Sequence, residues 1–279
     1  GGVAAQTQDW PQFRGPTGQG HSAERGVPLE WSESRNLVWK SPVPGRGWSS
    51  PVVADGRVWL TTATKVNGAS LRALAFDVET GREVVNVEVF RTRSPAARHP
   101  KNSYASPSAV VEGDRVYVHF GTDGTAALTT AGEVVWKTRF NYESQHGAGG
   151  SPILHGDLLI LSCDGDDAAF IVAIDKRTGK TRWKTARRQP WAQAYTTPLV
   201  IKVGDRDQVV SVGAFRAAAY EPQTGKEIWR VSYGDGFSNV PRPVFGHGLV
   251  YIATGFHQPA ILAVRPDGTG DVSKTHVGW

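Results

Sequence analysis

The chain has 279 residues, of which 39% are hydrophobic and 20% charged, with 32 Gly, 17 Pro, 10 Trp, a single Cys and no Met. This composition excludes a disordered chain, and no run approaches the roughly 18 consecutive apolar residues of a spanning helix. The formal net charge is +5, but outside residues 91–101 and 182–188 the basic side chains are scattered, with no aromatic-interleaved stripe, so nucleic-acid binding is not expected.

Residues 1–37 are expected to form a lead-in and residues 38–279 one domain. The first residues are small, and Val3-Ala4-Ala5 matches the cleavage region of a secretory signal, so a periplasmic or secreted protein is expected. Lone Cys163 allows no intrachain disulfide.

From residue 38 onward three signals recur in step, which is how a repeat architecture shows itself. A small or polar residue precedes Pro and an apolar run at Pro51, Pro107, Pro152, Pro198 and Pro243, with intervals of 56, 45, 46 and 45 residues. The long first interval is accounted for by an insertion, Arg91-Thr-Arg-Ser-Pro-Ala-Ala-Arg-His-Pro-Lys-Asn-Ser-Tyr104. A Gly-bearing turn follows each Pro run and leads into an alternating run, as at Asp55-Gly56, Gly113-Asp114, Gly156-Asp157 and His247-Gly248; this is hairpin chemistry. Third comes Ala-x-Asp-x-x-Thr-Gly-x-x-x-Trp, complete at Ala173, Asp175, Thr178, Gly179 and Trp183. It recurs with Glu221 for Asp at Ala219, Gly225 and Trp229, ends in Val85 after Ala75, Asp77 and Gly81, and is one residue shorter at Ala127, Gly132 and Trp136. Each unit therefore predicts four short antiparallel strands. A single such sheet has two apolar faces, and stacking the sheets radially buries both. The fold class expected is all-β, a β-propeller of four-stranded blades.

The repeat resembles the tryptophan-docking motif of pyrroloquinoline quinone (PQQ)-like propellers, the quinoprotein alcohol dehydrogenase-like superfamily. Asp9-Trp-Pro-Gln-Phe-Arg-Gly-Pro16 is similar to the lead-in of secreted bacterial members. The resemblance implies inter-blade packing for Trp39, Trp136, Trp183 and Trp229. It also implies rings of seven or eight blades, against about five here, so an incomplete, unclosed ring is expected from a fragment. Trp279 falls where the outer strand of the fifth blade should lie.

Propeller geometry puts the segments entering the Pro strands on one rim of the central channel. That rim is expected to collect Arg46, Trp48, Asn102, Tyr104, Gln145, His146, Gln193, Tyr195 and Asn239, joined from the neighbouring loops by Asp164, His257, Lys65, Asp123, Asp166, Asp167, Arg216 and Gln258. Such a surface suits a protein or small ligand, although the same residues equally suit solvated loops and packing at the channel mouth. Cys163-Asp164-Gly165-Asp166-Asp167 lacks the further ligand and bidentate Glu of a calcium loop and is expected to be a polar turn. Ser151 occupies the recurring pre-Pro position and is expected to be structural rather than nucleophilic. No catalytic, metal or cofactor-binding residue is assigned.

The superfamily's dehydrogenases imply PQQ held over adjacent cysteines and a calcium ion, with an Asp as base. One Cys supplies no such pair, and no cofactor is expected. The leading expectation is a non-catalytic extracytoplasmic scaffold, similar in kind to the propeller of the outer-membrane barrel assembly machinery. The alternatives are a PQQ- and calcium-dependent dehydrogenase of alcohols or sugars, and the sensor domain of a larger receptor.

Overall fold

The computed structural model describes residues 9–65, 68–187 and 193–279. The Val3-Ala4-Ala5 tail and Arg188 of the basic run lie outside these described residues. Five antiparallel sheets follow one another along the chain. Blade 1 comprises β1 (Val52–Ala54), β2 (Arg57–Thr64), β3 (Ala69–Asp77) and β4 (Glu83–Thr92). Blade 2 holds β5 (Val110–Glu112), β6 (Arg115–His119), β7 (Thr125–Thr129) and β8 (Val134–Thr138). Blade 3 holds β9 (Ile153–His155), β10 (Leu158–Asp164), β11 (Ala169–Asp175) and β12 (Thr181–Ala186). Blade 4 is built from β13 (Leu199–Val203), β14 (Arg206–Val212), β15 (Arg216–Tyr220) and β16 (Glu227–Ser232). Blade 5 has β17 (Val244–Gly246), β18 (Leu249–Ala253) and β19 (Ile261–Val264), and its outer position is taken by residues 276–279, which bond back to Ala263 and Arg265. No α-helix occurs among the described residues.

The second and third strands of blades 1 to 4 are largely buried on both faces, and their alternation sends successive residues to opposite neighbours. On β6, Val116 and Val118 join the core shared with blade 1, whereas Tyr117 joins the core shared with blade 3. On β10, Leu159, Leu161 and Cys163 face blade 2, and Leu158 and Ile160 face blade 4. Each fully buried aliphatic side chain of this kind contributes about 1.5–3 kcal/mol, so the inter-blade layers are the principal source of stability.

The recurring motif places one residue of each outer strand against the next blade. In four blades the pairing of the third and fourth strands slips by one residue at the motif alanine, between Ala75/Phe76, Ala127/Leu128, Ala173/Ile174 and Ala219/Tyr220. Such a bulge re-aims the strand. Trp136 then lies over Gly179 and its indole N–H donates to Lys176 O at 3.0 Å; Trp183 lies over Gly225 and donates to Pro222 O at 2.8 Å. Trp39, from the segment before blade 1, covers Gly81 in the same way and donates to Val78 O at 2.8 Å. Val85 takes the indole's place against Gly132. Trp229 departs from the pattern: its indole donates to Gln208 Oε1 at 2.8 Å, and the Gln208 amide passes the contact to Pro266 O at 3.1 Å. The longer loop of blade 5 folds β20 (Gly270–Asp271) in parallel beside β16, which accounts for the wide spacing between Trp229 and Trp279.

At the inner edge, hydroxyls join one blade to the next. Ser50 N donates to Ser108 Oγ, Ser108 N to Ser151 Oγ, and Ser151 N to Thr197 Oγ1, each at 2.9 Å. Ser151 is thereby committed at both its backbone N–H and its hydroxyl, which makes it the structural residue expected from its repeat position.

The lead-in crosses the inner strands. Trp10 pairs with Val53, Pro11 O accepts from Val111 N, Arg242 donates to Phe13 O, and the Gln19 side chain brackets Phe245 at both its N–H and its C=O. Residues 10–19 therefore tie blades 1, 2 and 5 together.

Gly225 has φ +69°, and a Cβ there would fall inside the Trp183 ring, whereas Gly56, at φ +67°, has nothing within 4 Å. Gly56→Ala is expected to cost about 1 kcal/mol through backbone strain alone, and Gly225→Ala about 2–4 kcal/mol because overpacking is added. Urea titrations of the two variants measure the difference.

Candidate functional site

The rim side chains are hydrogen-bonded to one another across blade boundaries. Asn102 donates to His146 O at 2.7 Å and Ala148 O at 3.1 Å, and its own carbonyl accepts from Ser106 Oγ at 2.5 Å. His146 Nδ1 and Tyr195 OH lie 2.8 Å apart, Tyr195 OH donates to Gln193 Oε1 at 2.7 Å, and the Gln193 amide donates to Asp166. Asn239 O accepts from Tyr195 N, while the Asn239 side chain donates to Gly213 O at 2.8 Å and accepts from Gly255 N at 2.7 Å. One network therefore runs from the blade 2 entry segment to the loop after β18. Burial pushes the Tyr195 phenol well above its ordinary value.

Three of the expected rim residues lie beneath the surface: Asp164, Gln193 and Asn239 are buried. The reason in each case is a partner that spacing along the chain does not reveal. Asp164 receives Arg187 Nη1 on both oxygens, at 2.8 and 2.6 Å, and the same guanidinium reaches Ser211 in blade 4. Loss of hydration pushes the Asp164 carboxyl up to about 6 against the pull of Arg187. Arg187 lay in the basic run, and nothing in the sequence distinguished it from the exposed Arg182 and Lys184. Asp167 accepts from Glu143 N at 2.6 Å, so each carboxylate of the Asp164, Asp166 and Asp167 group has its own protein donor; Cys163 and Asp164 end strand β10, and only residues 165–168 form the expected turn. Gln145 is exposed, and His257 stands on an exposed turn 3.5 Å from Asp235.

The Arg46, Trp48 and Tyr104 part of the rim is different. Arg46 lies over the Trp48 ring at 5.1 Å, Trp48 donates to Lys101 O at 2.9 Å, and the Arg98 guanidinium covers Tyr104 at 4.7 Å. Gly45, Arg46, Ala63, Lys65, Arg98 and Tyr104 line a cavity of about 260 Å³. A second cavity, between blades 2 and 3, holds His119, Tyr142, Ser162, Asp164 and Tyr195, and at about 10 Å³ it is too small for an organic ligand. His119 is buried against Thr125 Oγ1 at 2.8 Å, and burial lowers its ring to about 4. Neither His119 nor Arg98 was marked by any spacing in the sequence.

With this geometry in hand, comparison with known proteins is informative. The family model described as "Outer membrane protein assembly factor BamB" matches residues 24–139 and 75–263. The chain belongs to that family. Family members share the PQQ-like repeat, and the solved BamB from Moraxella catarrhalis superposes with a TM-score of 0.53 at 14% identity, over 84% of this chain and 73% of that one. The quinohemoprotein alcohol dehydrogenase from Comamonas testosteroni gives a TM-score of 0.61 at 16% identity, over 94% of this chain and 46% of that one. Identities this low carry the β-propeller fold alone. In sequence the chain is 27% identical to the quinoprotein ethanol dehydrogenase of Pseudomonas putida over 191 residues, or 60% of this chain and 28% of the relative. A Pseudomonas aeruginosa quinoprotein ethanol dehydrogenase is 28% identical over the same extent. The chain thus spans little more than a quarter of the length of these curated relatives.

The relationship raises the question of a quinone and calcium site. Cys163 is buried on β10 and its thiol is pushed far above the usual range by burial. Among the described residues no three His, Cys, Asp or Glu side chains converge as a cation site.

Removing Arg187 alone strands a buried carboxylate, so Arg187→Ala is expected to cost about 3–5 kcal/mol in urea unfolding, and Asp164→Leu/Arg187→Met distinctly less. His119 gives a pH signature. Its folded pKa is depressed, so its contribution is complete above the ordinary histidine value and is lost as pH falls toward 4, amounting to about 2 kcal/mol between pH 7 and 5. Asp164 acts in the opposite sense, because its raised pKa lets the folded state take up a proton first as pH falls through 6. Unfolding free energies of the wild type and His119→Asn at both pH values separate the two, and the variant is expected to lose the acid-side decline.

Proposed function

We propose that the chain is a non-catalytic propeller that works outside the cytoplasm as a rigid binding platform, its rim facing a protein or small ligand. The observation that carries this reading is the commitment of the rim side chains to one another, from Ser106 through Asn102, His146, Tyr195 and Gln193 to Asp166. A general base or nucleophile must be free to move a proton toward a substrate. Asp164 is held by Arg187, Ser151 by Ser108, and Cys163 is buried as a thiol. A preorganised polar surface, by contrast, loses little side-chain entropy on binding, and that is what a platform requires. The repeated indoles act in this reading as clamps that keep the rim in register. The family relationship to an assembly factor agrees with a role in protein binding, and an extracytoplasmic site agrees with the small-residue N-terminus.

Similarity to quinoprotein dehydrogenases favours a second reading, a PQQ- and calcium-dependent alcohol dehydrogenase, against which stands the single buried cysteine. Two measurements separate the readings. Protein incubated with PQQ and calcium is expected to retain no quinone absorbance after gel filtration and to show no dye-linked alcohol oxidation; turnover above the protein-free control would overturn the platform reading. A photo-crosslinker at Gln145 or His257 is expected to trap a discrete protein partner in cells, and one at Gln223, on the opposite face, is not. Equal adducts from both faces would count against a rim-directed platform.

A further inference from the structure

The insertion at residues 91–104 lengthens the connection from β4 to β5, and it delivers Arg98 and Tyr104 to the wall of the 260 Å³ cavity between blades 1 and 2. The entry segment to β1 adds Gly45 and Arg46, and the end of β2 adds Ala63, Thr64 and Lys65. Three cationic side chains thus line one small space. Among the described residues none of them forms an ion pair, although Arg and Lys elsewhere on this protein find carboxylates readily, as in Lys176 with Glu112 and Arg91 with Glu88. Arg98 is held in place by its neighbours: one Nη donates to Asn102 O at 3.0 Å and the guanidinium lies 4.7 Å from the Tyr104 centroid. Its Nε–H is buried without a hydrogen-bond partner, which is costly for a donor carrying positive charge. Gly45 packs directly on the backbone of β2, where a Cβ would lie 2.5 Å from Ala63 O.

From this arrangement we infer that the cavity is a binding site for a small organic anion, whose carboxylate or phosphate oxygens meet Arg46, Lys65 and Arg98. An oxyanion neutralises three like charges gathered in one place and accepts from a guanidinium fork, an interaction stronger than a neutral hydrogen bond. The volume lies just below the roughly 300–1,000 Å³ of sites for drug-sized molecules, which sets the ligand at the size of a di- or tricarboxylate or a sugar phosphate. The Tyr104 ring, covered on one face by Arg98, supplies an apolar wall for the carbon skeleton. This site stands on the geometry of one blade boundary and does not depend on whether the rim also engages a protein.

Isothermal titration of the full chain with citrate, succinate, glucose 6-phosphate and inorganic phosphate tests the site, with glucose as the uncharged control. Saturable binding of at least one anion is expected, weakening strongly in about 0.5 M salt, with none for glucose. Citrate or succinate without phosphate binding identifies carboxylate recognition, and the reverse identifies phosphate; either supports the site. Arg46 and Lys65 are exposed, so Arg46→Ala and Lys65→Ala are expected to fold, each weakening binding about tenfold, with Lys65→Arg restoring it. Arg98→Lys keeps the charge but loses the fork and is expected to weaken binding while leaving the melting temperature within a few degrees. The inference is overturned if no anion binds up to about 10 mM, if affinity is unchanged in Arg46→Ala/Lys65→Ala, or if only a Glu-rich peptide binds, which would make the cavity a receptor for a partner's side chains.

Discussion

The molecule depends on a residue of one sheet's outer strand resting on a glycine of the next. Trp136 over Gly179 and Trp183 over Gly225 join large apolar area to a fixed indole hydrogen bond, so the contact sets both spacing and angle between blades. The glycine is the fixed partner: the turn needs positive φ, and a side chain there would occupy the place of the ring, or of Val85 where valine replaces the indole. The bulge at the motif alanine belongs to the same device, because it turns the strand so that the side chain leaves its own blade. Where the device is altered, at Trp229, a glutamine amide is interposed, and Gln208 and Pro266 line a groove of about 1000 Å³.

Blades locked in this way give their loops a common frame, and the rim uses it. Residues drawn from blades 2 to 5 meet within hydrogen-bond distance although they are separated by some fifty residues of chain, as His146 and Tyr195 are. The consequence is a surface that is polar yet already paired. The boundary between blades 1 and 2 breaks this rule, since among the described residues Arg46 and Arg98 have backbone carbonyls as acceptors but, like Lys65, no carboxylate partner. Departure from the repeat and departure from polar pairing thus coincide in one insertion, and loops on a rigid scaffold are where function is most often placed.

The lead-in has a parallel role on the inner side. Trp10, Pro11, Phe13 and Gln19 make their contacts with blades 1, 2 and 5 chiefly through backbone groups and one amide, so the segment is bound by the sheet edges it covers. Inner strands leave unpaired backbone donors and acceptors along the channel, and a strap that satisfies some of them lowers the cost of that exposure.

The all-β class and the four-stranded antiparallel sheets were legible in the sequence because they follow from local chemistry repeated in register: Pro before a run, glycine in a turn, alternation along a strand. The structural role of Ser151 was legible for the same reason, through its place in the repeat. The burial of Asp164, Gln193 and Asn239, the neutral His119 and the gathering of Arg46, Lys65 and Arg98 were not. Each depends on a partner contributed by another segment, and a periodic pattern says which residues are equivalent but not which of them touch. Local periodicity therefore determined the fold of this protein, while the pairing of its charges was decided only when the blades closed on one another and removed water from between them.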